Sequence, residues 1–510
     1  MATKSPAPFQ NHNTPNLGLE LPVQAKPTPD SASNNPSFED IDIYLQQQID
    51  HLNIPGAALV IVEDDQIVHL RGFGQARPGG EVPSPQTPFV LGSLTKSFTA
   101  LAVMQLVEAG EIELDAPVQR YLPWFRVADP QASAQITVRH LLNQTSGLPM
   151  LPGMITLADF DSRPDATERQ ARALSTLVLT RPVGSAFEYC NLNYNLLGLI
   201  IEAASGESYT DYIQRHIFDP LDMRHSYTSQ AVAQQNGLAV GHRYWFAFPF
   251  AVPNLPLPQG SLPSGQLISS TEDMGHYLIA HLNEGRYGGV QILSGAGIDE
   301  LHRPAVEASM TGISFGHYGM GWISLKTGES RIVWHSGTLP DFFAFMALLP
   351  EQNKGMVLLV NANHVIMDKL PLTEVGLGAA QRLAGQPPAP ARFGAVTWVL
   401  RGLLLIPVLQ IVGVATTLQL LRRWREDPQR RPSGFRKWVL HLLLPLIPNL
   451  SVALTLIPML GKMRGFLILY VPDFSWIALI CGGFAGIWAF LRTSLILWTL
   501  RRPSRRQQHE

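Results

Sequence analysis

Two periods of apolar spacing run through the first 390 residues, and each predicts a different kind of element. Residues 38–52 carry apolar side chains at helical spacing. Residues 57–62 and 66–71 are rich in β-formers and flank Glu63-Asp64-Asp65, which predicts a hairpin. The helical period returns over 93–109, where Phe98, Leu101, Leu106 and Val107 are apolar and Gly110 supplies a stop signal. Residues 137–144 and 192–204 predict further helices. Strands are predicted at 319–326, 331–335, 342–349 and 355–361, with a closing helix over 370–385. Strands near both ends with helices between them predict one antiparallel sheet that joins the ends, plus an all-helical region: an α+β or α/β fold. The Pro-rich, aromatic stretch 246–264 reads as an irregular loop near a cleft mouth. Residues 1–37 lack the apolar residues to build a core and read as a disordered leader. There is no internal repeat.

Beyond residue 390 the pattern changes. Residues 394–421, 438–460 and 474–500 each hold the roughly 20 largely apolar residues needed to cross a bilayer, although Arg401, Arg492 and several prolines interrupt them. Charge changes at the same place. From Arg392 onward there are 16 Lys and Arg against 4 Asp and Glu, whereas the preceding residues hold 22 against 36. Basic runs interleaved with long apolar spans point to a membrane and away from nucleic acid. The linker 422–437 has seven basic residues and the tail after Leu500 has four arginines, so both are expected in the cytoplasm. Three crossings then place the domain at 38–390 outside the cell, with 501–510 a basic cytoplasmic tail. Residues 462–472 would form a short outer turn, partly interfacial, with Tyr470 and Trp476 near the headgroups. The first 40 residues show no apolar export signal, and the reading favours a true start upstream of Met1. Two cysteines, Cys190 and Cys481, imply no disulfide framework.

Candidate chemistry starts at Ser93-Leu94-Thr95-Lys96, where a helical pattern begins. Residues i and i+3 share a helix face, so the hydroxyl and the amine can touch. A serine is a poor nucleophile until a neighbouring base takes its proton, and a desolvated lysine can do so. Roughly one or two Ser-x-x-Lys matches are expected by chance in a chain of this size, so the pair needs partners. Tyr189-Cys190-Asn191 offers a phenol able to act as a base beside an ammonium. Its asparagine amide can hold a substrate carbonyl and the lysine together. His335-Ser336-Gly337-Thr338 follows a β-rich run, and Gly337 lets a ligand approach the backbone. The Thr338 and Ser93 amides are candidate oxyanion donors. His317-Tyr318-Gly319 is a competing match. Taken singly, Tyr189 and His335 read more readily as packed structural residues.

Together, in this order, the three motifs resemble those of the penicillin-recognising serine hydrolases, and specifically their class C β-lactamase-like branch. Flanking segments extend the likeness over roughly residues 38–365. They are Pro88-Phe89-Val90-Leu91-Gly92-Ser93, Leu114-Asp115-Ala116-Pro117-Val118 with Tyr121-Leu122-Pro123, and His140-Leu141-Leu142 with Thr145-Ser146-Gly147-Leu148-Pro149. Asn193-Tyr194-Asn195-Leu196-Leu197-Gly198 and the strand after His335-Ser336-Gly337 complete it. The resemblance implies acylation of Ser93, proton transfer shared by Lys96 and Tyr189, substrate orientation by Asn191, and no metal or organic cofactor. Its substrates would be small molecules or peptides. Two departures stand out. β-Lactamases of this branch usually have Lys-Thr-Gly where this chain has His335-Ser336-Gly337, and Cys190 replaces the usual Ser or Ala. The His form resembles the family's esterases and D-amino-acid peptidases. Three readings stay open: a membrane-anchored peptidase or esterase, a β-lactamase or penicillin-binding DD-peptidase, and a non-hydrolytic sensor that binds peptide or drug. Oligomeric state is not legible.

Overall fold

The computed structural model describes residues 38–310, 313–327, 330–367, 371–387, 394–431, 434–456, 461 and 463–501. The expected leader 1–37 and the tail from 502 lie outside these residues.

Among the described residues the central sheet has eight strands, antiparallel throughout. Their order is Gln66–Gly74, Gly56–Glu63, Lys354–Val360, Phe343–Leu349, Ser330–Thr338, Ile323–Thr327, Ile313–Tyr318 and Val306–Met310. Gly56–Glu63 pairs with Gln66–Gly74 on one side and with Lys354–Val360 on the other, so the sheet joins the ends of the domain as the sequence predicts. Successive side chains of a strand point to opposite faces, and here both faces are covered. Ala58, Val60 and Val62 enter a core shared with the helical region, alongside Met346, Leu348, Val357 and Leu359. Ala57, Leu59 and Ile61 enter a second core with Phe345, Leu358 and Val360. Two helices cover that second face, Phe38–Leu52 and Thr373–Leu383. Burial on both faces explains why these strands read as nearly continuous apolar runs.

Three local expectations are corrected. The strand expected at 319–326 begins only at Ile323, because Gly319 and Gly321 form a turn. Gly321 has φ +83°, and a Cβ there would lie 3.0 Å from the backbone of Lys96, so the turn rests against the helix that carries Lys96. The two strands before it, Val306–Met310 at the sheet edge and Ile313–Tyr318 beside it, are half-polar and escape a search for apolar runs. The stretch 246–264 is not irregular throughout. Phe248–Ala251 pairs with His242–Trp245, and Leu262–Gly265 is a short helix packed against the site.

In the C-terminal region, two helices among the described residues are long and apolar enough to cross a membrane, Thr397–Glu426 and Pro472–Arg501. The middle segment, expected as a span over 438–460, is helical in pieces: Phe435–Trp438, Val439–Leu443 and Leu446–Leu454. Arg492, which interrupts the last apolar run, is buried and donates to the Thr417 hydroxyl at 3.2 Å and the His441 carbonyl at 2.6 Å. Internal partners of this kind are how an ionised side chain is accommodated in an apolar setting. Most of the expected outer turn is a helix, Arg464–Tyr470, seated against Met154, Leu157 and Ala158.

Candidate active site

Gly92–Leu94 forms one tight helical turn that leads directly into the helix Thr95–Glu108. Ser93 sits at that junction. Thr95 and Thr99 tie the helix to the segment opposite: the Thr95 hydroxyl accepts from the Leu267 amide at 3.1 Å, and Thr99 donates to the Pro263 carbonyl at 2.7 Å. This brings the Ser264 carbonyl over Lys96.

Lys96 is fully buried. Its Nζ lies 3.0 Å from Ser93 Oγ, 2.8 Å from Asn191 Oδ1 and 2.7 Å from the Ser264 carbonyl. Burial holds its pKa well below the ordinary lysine value, because the charged form loses its hydration. A Cys190 thiolate would oppose this shift, but burial pushes the Cys190 thiol up to about 12, so the thiol stays neutral. A neutral amine has two N–H groups and one lone pair. Asn191 Oδ1 and the Ser264 carbonyl are pure acceptors and take the two N–H groups. When the amine is neutral, its lone pair is left facing Ser93, where it can accept the hydroxyl proton. Tyr189 donates its hydroxyl to Ser93 Oγ at 2.9 Å, so the serine hydroxyl is flanked by an amine and a phenol.

Tyr189, Cys190 and Asn191 are held by the segment 143–149. Gln144 takes a left-handed φ of 58°; its carbonyl accepts from the Glu188 amide at 2.9 Å and its Oε1 from the Cys190 amide at 2.9 Å. The helix Asn191–Ser205 starts at the site and buries Asn193, whose amide donates to Gln144 Oε1 at 2.5 Å. Asn191 Nδ2 donates to the Gly153 carbonyl at 3.2 Å, which fixes the amide with Oδ1 toward Lys96.

The strand Ser330–Thr338 runs along the other side. A Cβ on Gly337 would lie 1.9 Å from the Leu91 carbonyl oxygen and 3.1 Å from the Ser93 amide nitrogen. A Cβ on Gly92 (φ +56°) would lie 2.7 Å from the Thr338 amide nitrogen. Both positions require glycine, and the close approach brings the Ser93 and Thr338 amides to one spot. His335 is buried on this strand, its ring 6.5 Å from that of Tyr189 and 6.0 Å from that of Tyr318. The competing His317 is exposed on the strand Ile313–Tyr318, one in from the sheet edge. Its neighbour Tyr318 is the buried residue, edge-on to Tyr189 at 6.4 Å.

All seven sequence-derived residues, Ser93, Lys96, Tyr189, Asn191, His335, Gly337 and Thr338, therefore converge on one place. Sequence reasoning missed Ser264, Gly153 and Tyr318. The first two act through backbone carbonyls and carry no side-chain signal, while Tyr318 stood inside a motif set aside for its histidine.

A family model described as Beta-lactamase matches residues 41–381, two thirds of the chain. The chain belongs to the beta-lactamase family. Among curated relatives, "Protein flp" of Staphylococcus aureus (strain MW2) is 30% identical over 347 residues, 66% of this chain and 65% of that protein. The chain thus spans just under two thirds of the length of these relatives. "Penicillin-binding protein 4" of Amycolatopsis lactamdurans is 30% identical over 315 residues, 61% of this chain and 81% of that protein. Among solved structures, the octameric penicillin-binding protein homologue from Pyrococcus abyssi is similar with TM-score 0.61 and 28% identity, covering 69% of this chain and 78% of that one. The beta-lactamase family region contains every site residue named above and ends before the apolar C-terminal helices.

Proposed function

We propose that the protein is a membrane-anchored serine hydrolase that cleaves an amide or ester through an acyl-enzyme on Ser93. The observation that carries this reading is Ser93 Oγ placed between a buried lysine amine at 3.0 Å and a tyrosine hydroxyl at 2.9 Å. Ser93 Oγ attacks the substrate carbonyl carbon while its proton passes to Lys96 Nζ. Negative charge forms on the carbonyl oxygen, between the Ser93 and Thr338 amides. Collapse breaks the bond to the amine or alcohol, which leaves with the proton passed on through Lys96 and the Tyr189 hydroxyl. Water then repeats the sequence in reverse roles and frees Ser93. Asn191 orients both Lys96 and the substrate. The order of the three motifs supports a reading within the class C-like branch.

His335 supports a peptidase or esterase over a β-lactamase. A lysine there would give a substrate carboxylate a permanent cation, whereas a histidine is not a permanent cation. A D-amino-acid peptide or ester fits this site. Two apolar helices and the basic stretches around them support membrane anchoring. We place the hydrolase domain outside the cell and the C-terminus in the cytoplasm, with the broken segment 438–460 as the middle of three crossings. A panel of β-lactams, D-aminoacyl amides and short esters tests the reading. Ester or amide turnover that disappears in Ser93→Ala supports it, and equal turnover by both forms sinks it. Turnover of β-lactams in preference to the others would favour the β-lactamase alternative.

A further inference from the structure

The helix Arg464–Tyr470 stands just before the last apolar helix, where a plain anchor would need only a flexible connector. It is instead packed on the hydrolase domain. Phe466, Leu469, Tyr470 and Val471 are buried against Met154, Leu157 and Ala158. Gly465 sits close enough that a Cβ on it would lie 3.4 Å from the Ala158 side chain. The seat is latched by a buried polar pair. Asp473 is 0% and His364 1% exposed, with Nε2 to Oδ1 at 3.1 Å. The Ile366 amide donates to His364 Nδ1 at 3.2 Å, so Nε2 carries the proton and donates to the carboxylate. Asp473 Oδ2 accepts from the Phe246 amide at 3.1 Å. Breaking such a buried pair from one side leaves an uncompensated polar group, so the helix is held and not merely resting.

The surface it covers leads to the site within a few residues. Met154, Leu157 and Ala158 follow Gly153 directly, in the run Met150–Ile155 and Thr156–Ala158. Gly153 offers its carbonyl to Asn191 Nδ2 at 3.2 Å, and a Cβ on it would lie 2.9 Å from the Asn191 amide nitrogen. That bond sets which way the Asn191 amide faces, and its Oδ1 is the 2.8 Å partner of Lys96.

From this contact chain we infer that Arg464–Tyr470 is a positioning element for the reaction: it presses the Gly153 carbonyl onto Asn191, and Asn191 in turn holds the Lys96 amine toward Ser93. The inference rests on the hydrolase reading above. The C-terminal region then completes the active site as well as anchoring it, and Phe466, Tyr470 and Asp473 are its positioning residues.

The test uses the full chain in lipid nanodiscs with a soluble chromogenic ester, and compares Phe466→Ala, Asp473→Ala, Asn191→Ala and the Phe466→Ala/Asn191→Ala pair. Phe466→Ala is expected to lower kcat by about tenfold with little change in KM, since a 1 Å misplacement of a catalytic group can cost about 10²-fold. Asp473→Ala should do the same, and Asp473→Asn, which keeps one carbonyl oxygen for His364, should recover part of the loss. The deciding readout is the pair. If the helix acts through Asn191, adding Phe466→Ala to Asn191→Ala lowers kcat no further. Fully additive losses, or an unchanged kcat in Phe466→Ala, overturn the inference while leaving the hydrolase reading intact. Ser93→Ala is run alongside, and turnover surviving in that variant would overturn both.

Discussion

Gly337→Ala is the sharpest perturbation of the proposed oxyanion site, because it adds one methyl group and removes none of the reacting side chains. The added Cβ would lie 1.9 Å from the Leu91 carbonyl oxygen and 3.1 Å from the Ser93 amide nitrogen. Ordinary carbon–oxygen contact needs more than 3 Å, so the strand and the turn carrying Ser93 must separate by about 1 Å or more. The obstacle is backbone on both sides, so no side-chain rotation relieves it. Oxyanion donors act at about 2.7–3.1 Å, and loss of one costs about 3 kcal/mol, or 10²–10³ in kcat. Gly337→Ala is therefore expected to lose roughly 10²-fold or more in kcat on a chromogenic ester while Lys96, Tyr189 and Asn191 remain in place. The assay is steady-state hydrolysis by the full chain in nanodiscs, with a thermal melt to establish folding. Gly110→Ala is the control. Gly110 also has a positive φ, +78°, but nothing lies within 4 Å of a Cβ there. It should cost about 1–2 kcal/mol of stability through backbone strain and leave kcat unchanged. A folded Gly337→Ala enzyme with kcat within threefold of the parent would refute the oxyanion assignment.

Other expectations follow from the same geometry. Lys96→Met should abolish turnover and flatten the dependence of stability on pH. Because burial holds the folded-state pKa well below the ordinary lysine value, the unfolded chain binds the extra proton between the two pKa values, so stability rises with pH there and levels off above about 10.4; melting curves across pH check the sign. The same shift predicts that kcat/KM climbs with pH as Lys96 loses its proton and reaches its plateau below the ordinary lysine range, and a plateau only near pH 10 or above would contradict it. His335→Lys should raise turnover of a chromogenic cephalosporin relative to a short ester, measured as the ratio of kcat/KM values; an unchanged ratio removes His335 as the selectivity residue. Cys190→Ser should keep kcat within about threefold, and the buried thiol, with its pKa pushed up to about 12, should resist alkylation in the folded protein.

Much of this was legible in the chain because it rests on local pattern. The hairpin at residues 56–74, the nucleophile helix ending at Gly110 and the buried strands near 343–360 all declare themselves through apolar period and turn residues. The seven site residues were legible because they sit in three short motifs. What the sequence could not show is what backbone carbonyls do: Ser264 and Gly153 orient Lys96 and Asn191 through atoms every residue possesses. The strands at 306–318 were missed because their outward positions mix polar and apolar side chains, although Ala308 and Tyr318 are buried in the second core. The docking of Arg464–Tyr470 was hidden for a different reason. An apolar segment beside a membrane span reads as interfacial, and only tertiary packing shows that its partner is the hydrolase domain. The latch between His364 and Asp473, 109 residues apart, has no local signature at all.

The central claim is that Ser93 is the acylated nucleophile, and peptide mass spectrometry after reaction with a fluorophosphonate and, separately, with a labelled penicillin tests it most directly. The account predicts one fluorophosphonate adduct, on the peptide containing Ser93-Leu94-Thr95-Lys96, absent from Ser93→Ala and strongly slowed in Lys96→Met. A penicillin adduct, if formed, must fall on the same serine. An adduct on another residue, or equal labelling of the Ser93→Ala protein, would contradict it.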